Sequence, residues 1–406
     1  MKVPFFNLTQ QIAAIRAEVE AALGEVIDSG QFILGSKVEE LEKKVAAYCG
    51  WPYGLGVSSG TDALLLSLMA MNVGPGSLVL TTPFSFFATA GVIVRLGATP
   101  VFVDIDPATF NLNPLELEKA LNSIQTCDPK SHPLPSAISS RMPAVSCQPK
   151  VILPVHLYGR QADMQALNGL ARDFGLRVIE DGAQAIGSTK IPLGAGEGEN
   201  LYCLSFFPTK NLGAMGDGGM ILAENAELLE TLRLLRVHGA KTKYVHPLVG
   251  GNFRLDAFQA AVLLVKINYL EAWTQTRRAN ARYYDGLFRQ TDLVDGGLIT
   301  LPSINGKSAN QDLKPHVYNQ YVIRAEKRDA LREYLQSQGI GTEVYYPLPL
   351  HLQPCFEYLG YRAGDFPEAE KAAREVLALP IFPELTKAQQ EEVVQEIDHF
   401  YQRRIP

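Results

Sequence analysis

Lys210 lies between the apolar run LYCLSFF, residues 201 to 207, and a glycine-rich turn that ends in Asp217-Gly218-Gly219. The run is short, aromatic and hydrophobic, so it reads as a buried strand that delivers Pro208-Thr209-Lys210 to the end of a sheet. An ammonium group is costly to bury unless its pKa falls. A desolvated lysine amine is also the usual means of making a Schiff base with an aldehyde or ketone. Taken alone, Lys210 is better read as a surface lysine snorkelling to water.

The stretch RVIEDGAQAIGS, residues 177 to 188, adds a second group about one βα unit upstream. Val178-Ile179 closes an apolar strand, and Asp181 follows at its carboxyl end, where open α/β sheets bind their ligands. Asp181 is therefore placed to hold a cation in a cleft. A pyridinium nitrogen is such a cation, and an acidic partner on that nitrogen is a requirement of enzymes that use pyridoxal 5'-phosphate. The plainer alternative is a helix N-cap, with Gly182-Ala183 opening the helix.

Tyr53 to Leu68, YGLGVSSGTDALLLSL, admits three readings. Gly54, Gly56 and Gly60 narrowly miss the dinucleotide fingerprint GxGxxG, because Ser59 stands where the third glycine belongs. The same letters satisfy GxSxG with Ser58 as nucleophile, yet too few strands precede it for a hydrolase sheet and no HGGG-type oxyanion motif occurs. The third reading is an anion site: Ser59-Gly60-Thr61 opens a helix whose free N–H groups and dipole favour a phosphate, and Gly60 allows close approach. After the strand at residues 79 to 82, Phe86 is the candidate to lie over a flat cofactor, with core packing as the alternative for it and for Phe87.

These groups need a scaffold, and the patterning supplies one. Apolar residues at helical spacing mark helices over 9 to 28, opened by a Thr9 cap, and over 36 to 48. Short apolar runs at 79 to 82, 98 to 104, 151 to 155 and 201 to 207 alternate with helical stretches, which predicts an α/β protein with a mostly parallel sheet. A net charge of −6 argues against a nucleic-acid surface. No apolar run reaches the ~18 residues of a membrane span, and the first residues lack a signal-peptide core. The five scattered cysteines lack CxxC spacing and read as reduced thiols of a cytoplasmic protein, with no metal site.

In order along the chain stand VSSGTDAL (57 to 64), SFFATA (85 to 90), PVHLYGR (154 to 160), EDGAQAIGS (180 to 188), SFFPTKNLGAMGDGG (205 to 219), GGNFRLDAFQAAVL (250 to 263) and YYPLPLHLQ (345 to 353). Together they resemble the DegT/DnrJ/EryC1/StrS family of pyridoxal-phosphate sugar aminotransferases, over nearly the whole chain. The resemblance implies a fold-type I transferase in which Lys210 carries the cofactor aldehyde and then moves the proton, while Asp181 keeps the pyridine nitrogen protonated. It implies that Gln184 bonds the ring oxygen and Phe86 stacks on the ring. The phosphate would rest on the Gly60 and Thr61 amides and the Ser205 hydroxyl. Asn252 would reach in from a neighbouring subunit, which requires a homodimer with shared active sites.

The implied reaction moves an amino group from an amino acid, L-glutamate, to a nucleotide-linked keto-sugar. His351 and the tyrosines before it would lie near the sugar-nucleotide site. His156 and Tyr158, at the end of the strand at 151 to 155, point toward the cleft, with a satisfied core histidine as the alternative. Arg254 sits with Asn252 in a glycine-bounded turn where polar ligand groups are expected. Two rivals are a dehydratase of the same family, which has histidine where this chain has Lys210, and a catalytically silent regulator.

The expected domains are a large cofactor-binding domain over 1 to 265 and a smaller C-terminal α+β domain over 266 to 406. The smaller one would carry strands at 318 to 324 and 342 to 346. Between about 123 and 150 the chain is proline-rich and aperiodic, and reads as an irregular surface insertion.

Overall fold

The computed structural model describes residues 2–126, 130–136, 148–188, 200–302 and 316–403. The chain opens with the helix Leu8–Ser29, whose apolar stripe buries Ile15, Val19 and Val26. Its cap is Asn7 rather than Thr9: the Asn7 side chain accepts the Thr9 N–H at 2.9 Å. A second helix, Ser36–Cys49, leads into the sheet.

Seven strands form that sheet: β1 (Tyr53–Val57), β2 (Ser77–Thr81), β3 (Thr99–Phe102), β4 (Gln148–Leu153), β5 (Arg177–Asp181), β6 (Leu201–Ser205) and β7 (Gly219–Ala223). Their order across the sheet is β1-β7-β6-β5-β4-β2-β3. Only β7 runs against its neighbours, antiparallel to both β1 and β6. The strands are apolar on both faces because both faces are covered. Leu201 and Cys203 of β6 join one core layer while Tyr202 and Leu204 join the opposite one. Leu78 and Leu80 of β2 likewise part from Val79.

The smaller sheet is antiparallel, β10 (Val376–Leu379) beside β9 (Tyr321–Ala325) beside β8 (Ile299–Thr300). The strand expected over 318 to 324 begins only at Tyr321, because Tyr318 takes a left-handed φ of 48°. The strand expected over 342 to 346 does not form. Glu343 alone bridges to Ala378, and Pro347 and Pro349 bring no N–H to extend a ladder. The helix Ala257–Phe288 runs through position 265 without a break, so one 32-residue element contributes to the cores beside both sheets.

Of the proline-rich stretch, 127–129 and 137–147 lie outside the described residues. What is described is not wholly on the surface. His132 is buried, its Nε2 is 2.8 Å from the Phe102 carbonyl oxygen, and Ser136 donates to the Tyr358 carbonyl at 3.1 Å. Among the described residues no helix is long and apolar enough to cross a membrane.

Candidate active site

The carboxyl ends of β5 and β6 lie side by side, Asp181 paired with Cys203. Asp181 is therefore the last residue of a buried central strand, and the chain turns at Gly182 instead of starting a helix. Its Oδ2 accepts the Thr89 hydroxyl at 2.9 Å and its Oδ1 accepts the Ala183 N–H at 3.2 Å. Burial pushes the carboxyl above the ordinary range, opposed by those two hydrogen bonds and by nearby Lys210 and His156.

Lys210 sits in the turn after β6, where its N–H donates to the Phe207 carbonyl at 2.9 Å. The side chain is half-buried. Surrounding protein brings its ammonium down to about 8, and the Asp181 carboxylate holds it from falling further. Burial and one facing carboxylate thus leave an amine that is partly free base near neutral pH.

Gln184 is fixed in orientation. Its side-chain oxygen accepts the Tyr158 N–H at 2.6 Å, which turns its amide N–H toward the Tyr346 phenol oxygen. Tyr346 also feels the Asp181 charge, and its ring lies 6.3 Å from that of Phe86. Phe86 is 59% exposed, an aromatic surface at the mouth of the site. Thr89 was not singled out from the sequence, although it lies inside the motif SFFATA, whereas Tyr346 is one of the tyrosines before His351 that the resemblance placed near the sugar-nucleotide site.

On the β1 side, the helix Gly60–Ala70 starts against Ser205. A Cβ on Gly60 would meet the Ser205 Cβ at 2.6 Å, so only glycine keeps this floor open. Ser59 caps the helix by accepting the Asp62 N–H at 3.0 Å. Asp62 in turn engages the Ser58 and Ser59 hydroxyls at 2.7 and 2.9 Å. Both serines are thus committed to the cap, and helix geometry leaves the Gly60 and Thr61 N–H groups without an intrahelical acceptor. This cradle, with the amine and carboxylate beyond it, matches the three parts of pyridoxal 5'-phosphate: phosphate, aldehyde and ring nitrogen.

Asn252 and Arg254 line a polar cleft of about 520 Å³ together with Ser58, Ser59, Asp62 and Asp217. Arg254 Nε donates to Asn252 Oδ1 at 2.7 Å. His156 is fully buried: its Nδ1 accepts the Ala162 N–H at 3.1 Å, its Nε2 meets Glu180 at 2.8 Å, and its ring stacks on Tyr202. Tyr158 is buried and donates its hydroxyl to the Tyr345 carbonyl. His351 is buried against Phe366, with Nε2 3.2 Å from Glu370. Among the described residues no cluster of His, Cys, Asp and Glu could hold a metal ion.

The model of the DegT/DnrJ/EryC1/StrS aminotransferase family matches residues 13–398. The chain belongs to that family. It is an aminotransferase with an α/β fold, and its similarity to individual members extends over full length. It is 47% identical over 401 residues to a "Pleiotropic regulatory protein" of Geobacillus stearothermophilus, covering 99% of each chain. It is 37% identical over 402 residues to the dTDP-3-amino-3,4,6-trideoxy-alpha-D-glucose transaminase of Streptomyces venezuelae, covering 99% of this aminotransferase and 97% of that one. The crystal structure of S. venezuelae DesV in complex with a ketimine intermediate superposes with a TM-score of 0.86 at 36% identity, covering 100% of this aminotransferase and 99% of DesV.

Proposed function

We propose that this aminotransferase uses pyridoxal 5'-phosphate to move the amino group of L-glutamate to a nucleotide-linked keto-sugar. The observation that carries the reading is the Lys210 amine and Asp181 carboxylate facing one another at the ends of adjacent strands. When bound, the cofactor supplies an aldehyde that exchanges amines and a ring that takes up carbanion electrons. Asp181, held by Thr89 and Ala183, keeps a proton on the ring nitrogen. Lys210, with its amine near 8, both receives and returns a proton at the reacting carbon. Gln184 presents an N–H to the ring oxygen, Phe86 covers one ring face, and the Gly60 and Thr61 amides with the Ser205 hydroxyl take the phosphate.

The transaminase from S. venezuelae is named for a dTDP-linked amino sugar, which supports a nucleotide-linked substrate. Arg254 and Asn252 flank the polar cleft; Asn252 serves the site of a second subunit in a homodimer, and Arg254 meets the substrate. His156, Tyr158 and His351, each already engaged with protein atoms, shape the sugar pocket from behind. The cofactor lobe is 1 to 265 and the closing lobe 266 to 406, joined by their common helix. Free Cys49, Cys203 and Cys355 fit a reducing cytoplasm. Lysine at 210 opposes the dehydratase alternative, and the complete amine, carboxylate and phosphate cradle opposes a silent regulator.

The test is to load the purified protein with cofactor and to follow L-glutamate conversion with a panel of dTDP- and UDP-linked keto-sugars. Glutamate-dependent formation of an amino sugar is expected. Consumption of sugar without gain of nitrogen, or no turnover with any of them, would overturn the reading. Mixing Lys210→Ala with Asn252→Ala subunits should restore activity that neither variant has alone if sites are shared.

A further inference from the structure

Lys266 lies within the helix Ala257–Phe288 and is only 1% exposed. Its Nζ donates to the Gly213 carbonyl at 2.5 Å. Gly213 closes the turn that carries Lys210. A Cβ there would meet the Pro208 carbonyl oxygen at 2.3 Å, and the Lys210 N–H ties the same turn to Phe207. The carbonyl held by Lys266 is thus three residues from the reacting amine, across a turn with no slack. On its other side, Asn211 donates to the Val317 carbonyl and accepts from Asn319, each at 3.1 Å.

The acid acting on Lys266 is Glu384, which also faces Arg277. Arg277 donates to the Tyr318 and Ile381 carbonyls. Two buried cations therefore share one half-buried carboxylate. Such an arrangement is expensive, and a methionine of similar length would fill the same space without desolvating a charge. What the ammonium supplies that a methionine would not is the donor to the Gly213 carbonyl.

We propose that Lys266 is a positioning residue, which through the Gly213 carbonyl holds the Pro208-to-Gly213 turn so that the Lys210 amine stays against Asp181. The inference rests on Lys210 being the reacting amine of the proposed function. Lys266 touches no reacting atom; it fixes the turn. Burial brings its own ammonium down to about 8, so it is still mostly a cation and a donor at neutral pH.

The test compares Lys266→Met with Lys266→Gln, which keeps an N–H donor, in the full chain. Without added cofactor, acetylation of Lys210 is followed against pH by peptide mass mapping. A loosened turn lets water reach the amine, so in Lys266→Met the Lys210 midpoint should climb from about 8 toward the 10.5 of an ordinary lysine. Lys266→Gln should stay near the parent. In the loaded enzyme, kcat of Lys266→Met should fall about tenfold or more with KM for the amino donor little changed, and Lys266→Gln should recover most of it. The Tm of Lys266→Met should fall, since the Gly213 carbonyl loses its buried donor and Glu384 one of its two cations, and Lys266→Gln should keep more of it because a donor remains.

An unchanged Lys210 midpoint and kcat in Lys266→Met would overturn the proposal. So would equal loss of kcat and of Tm in both variants, which marks packing alone. If the parent protein transaminated nothing, the proposed function would fall, and the Lys210 titration would still decide the role of Lys266.

Discussion

Asp181 and Lys210 act on one another across the ends of two neighbouring strands: the carboxylate holds the amine up, and the amine holds the carboxyl down. In both, burial is the larger effect and works the other way, disfavouring charge. The pair is therefore poised, with each group close to losing its charge and each partly prevented by its partner.

The first prediction follows from the amine. Lys210 is protonated below about 8 and free above it, and only the free amine attacks an aldehyde. The rate at which the cofactor-free protein takes up pyridoxal 5'-phosphate should rise with pH through about 8 and level off above it. Lys210→Ala should lower kcat by ~10³-fold or more and abolish covalent uptake. A rate independent of pH between 6.5 and 9.5, roughly 1.5 units either side of the midpoint, would contradict this assignment.

The second prediction concerns the carboxylate. Asp181→Asn removes the one interaction that raises the Lys210 midpoint, so that midpoint should drop below about 8. In the loaded enzyme the ring nitrogen loses its acidic partner, and kcat should fall by ~10²- to 10³-fold. Stopped-flow uptake against pH and steady-state kinetics read the two effects separately. A Lys210 midpoint that stays put or rises in Asp181→Asn would show that the groups do not share a field.

Strand-end chemistry was legible because periodicity fixes where a strand stops. RVIED ends on Asp181, so that carboxylate was placed at the carboxyl end of its strand without knowing the sheet order, whereas LYCLSFF read as a strand through Phe207 and the strand stops two residues earlier, at Ser205. Tertiary partners were not legible. Thr89 reaches Asp181 from 92 residues upstream, and no local pattern encodes that reach. The phenol of Tyr346 arrives from a segment more than 160 residues downstream of Asp181 and Gln184, one that read as a strand because its aromatic, β-branched letters suit one. Two prolines and a single bridge to Ala378 decided otherwise. His156 read as a residue pointing into the cleft; its identity was visible, but its enclosure by Glu180, Ala162 and Tyr202 depended on packing.

That enclosure yields the third prediction. The His156 Nδ1 accepts a backbone N–H, so Nε2 is the donor and Glu180 the acceptor. Glu180→Ala leaves the buried Nε2–H unsatisfied and should cost about 1–3 kcal/mol of stability, with Glu180→Gln costing less because an oxygen remains. Urea midpoints of the three proteins at one pH measure this. Equal midpoints for Glu180→Ala and the parent would mean that His156 has another acceptor.

The last prediction separates the phosphate cradle from the rest of the site. Gly60→Ala would bring a Cβ to 2.6 Å from the Ser205 Cβ, so the start of the helix must back away from β6. The Gly60 and Thr61 N–H groups would move with it, while Lys210 and Asp181, anchored on β6 and β5, would not. Affinity for pyridoxal 5'-phosphate should therefore weaken at least ~10-fold, since a good part of an anion's binding at a helix N-terminus comes from those N–H groups. Affinity for pyridoxal, which carries the same aldehyde without the phosphate, should change little. Equilibrium titration of both ligands against both proteins makes the comparison. If the two affinities fell together, Gly60 would be holding the site open for the ring and not for the phosphate.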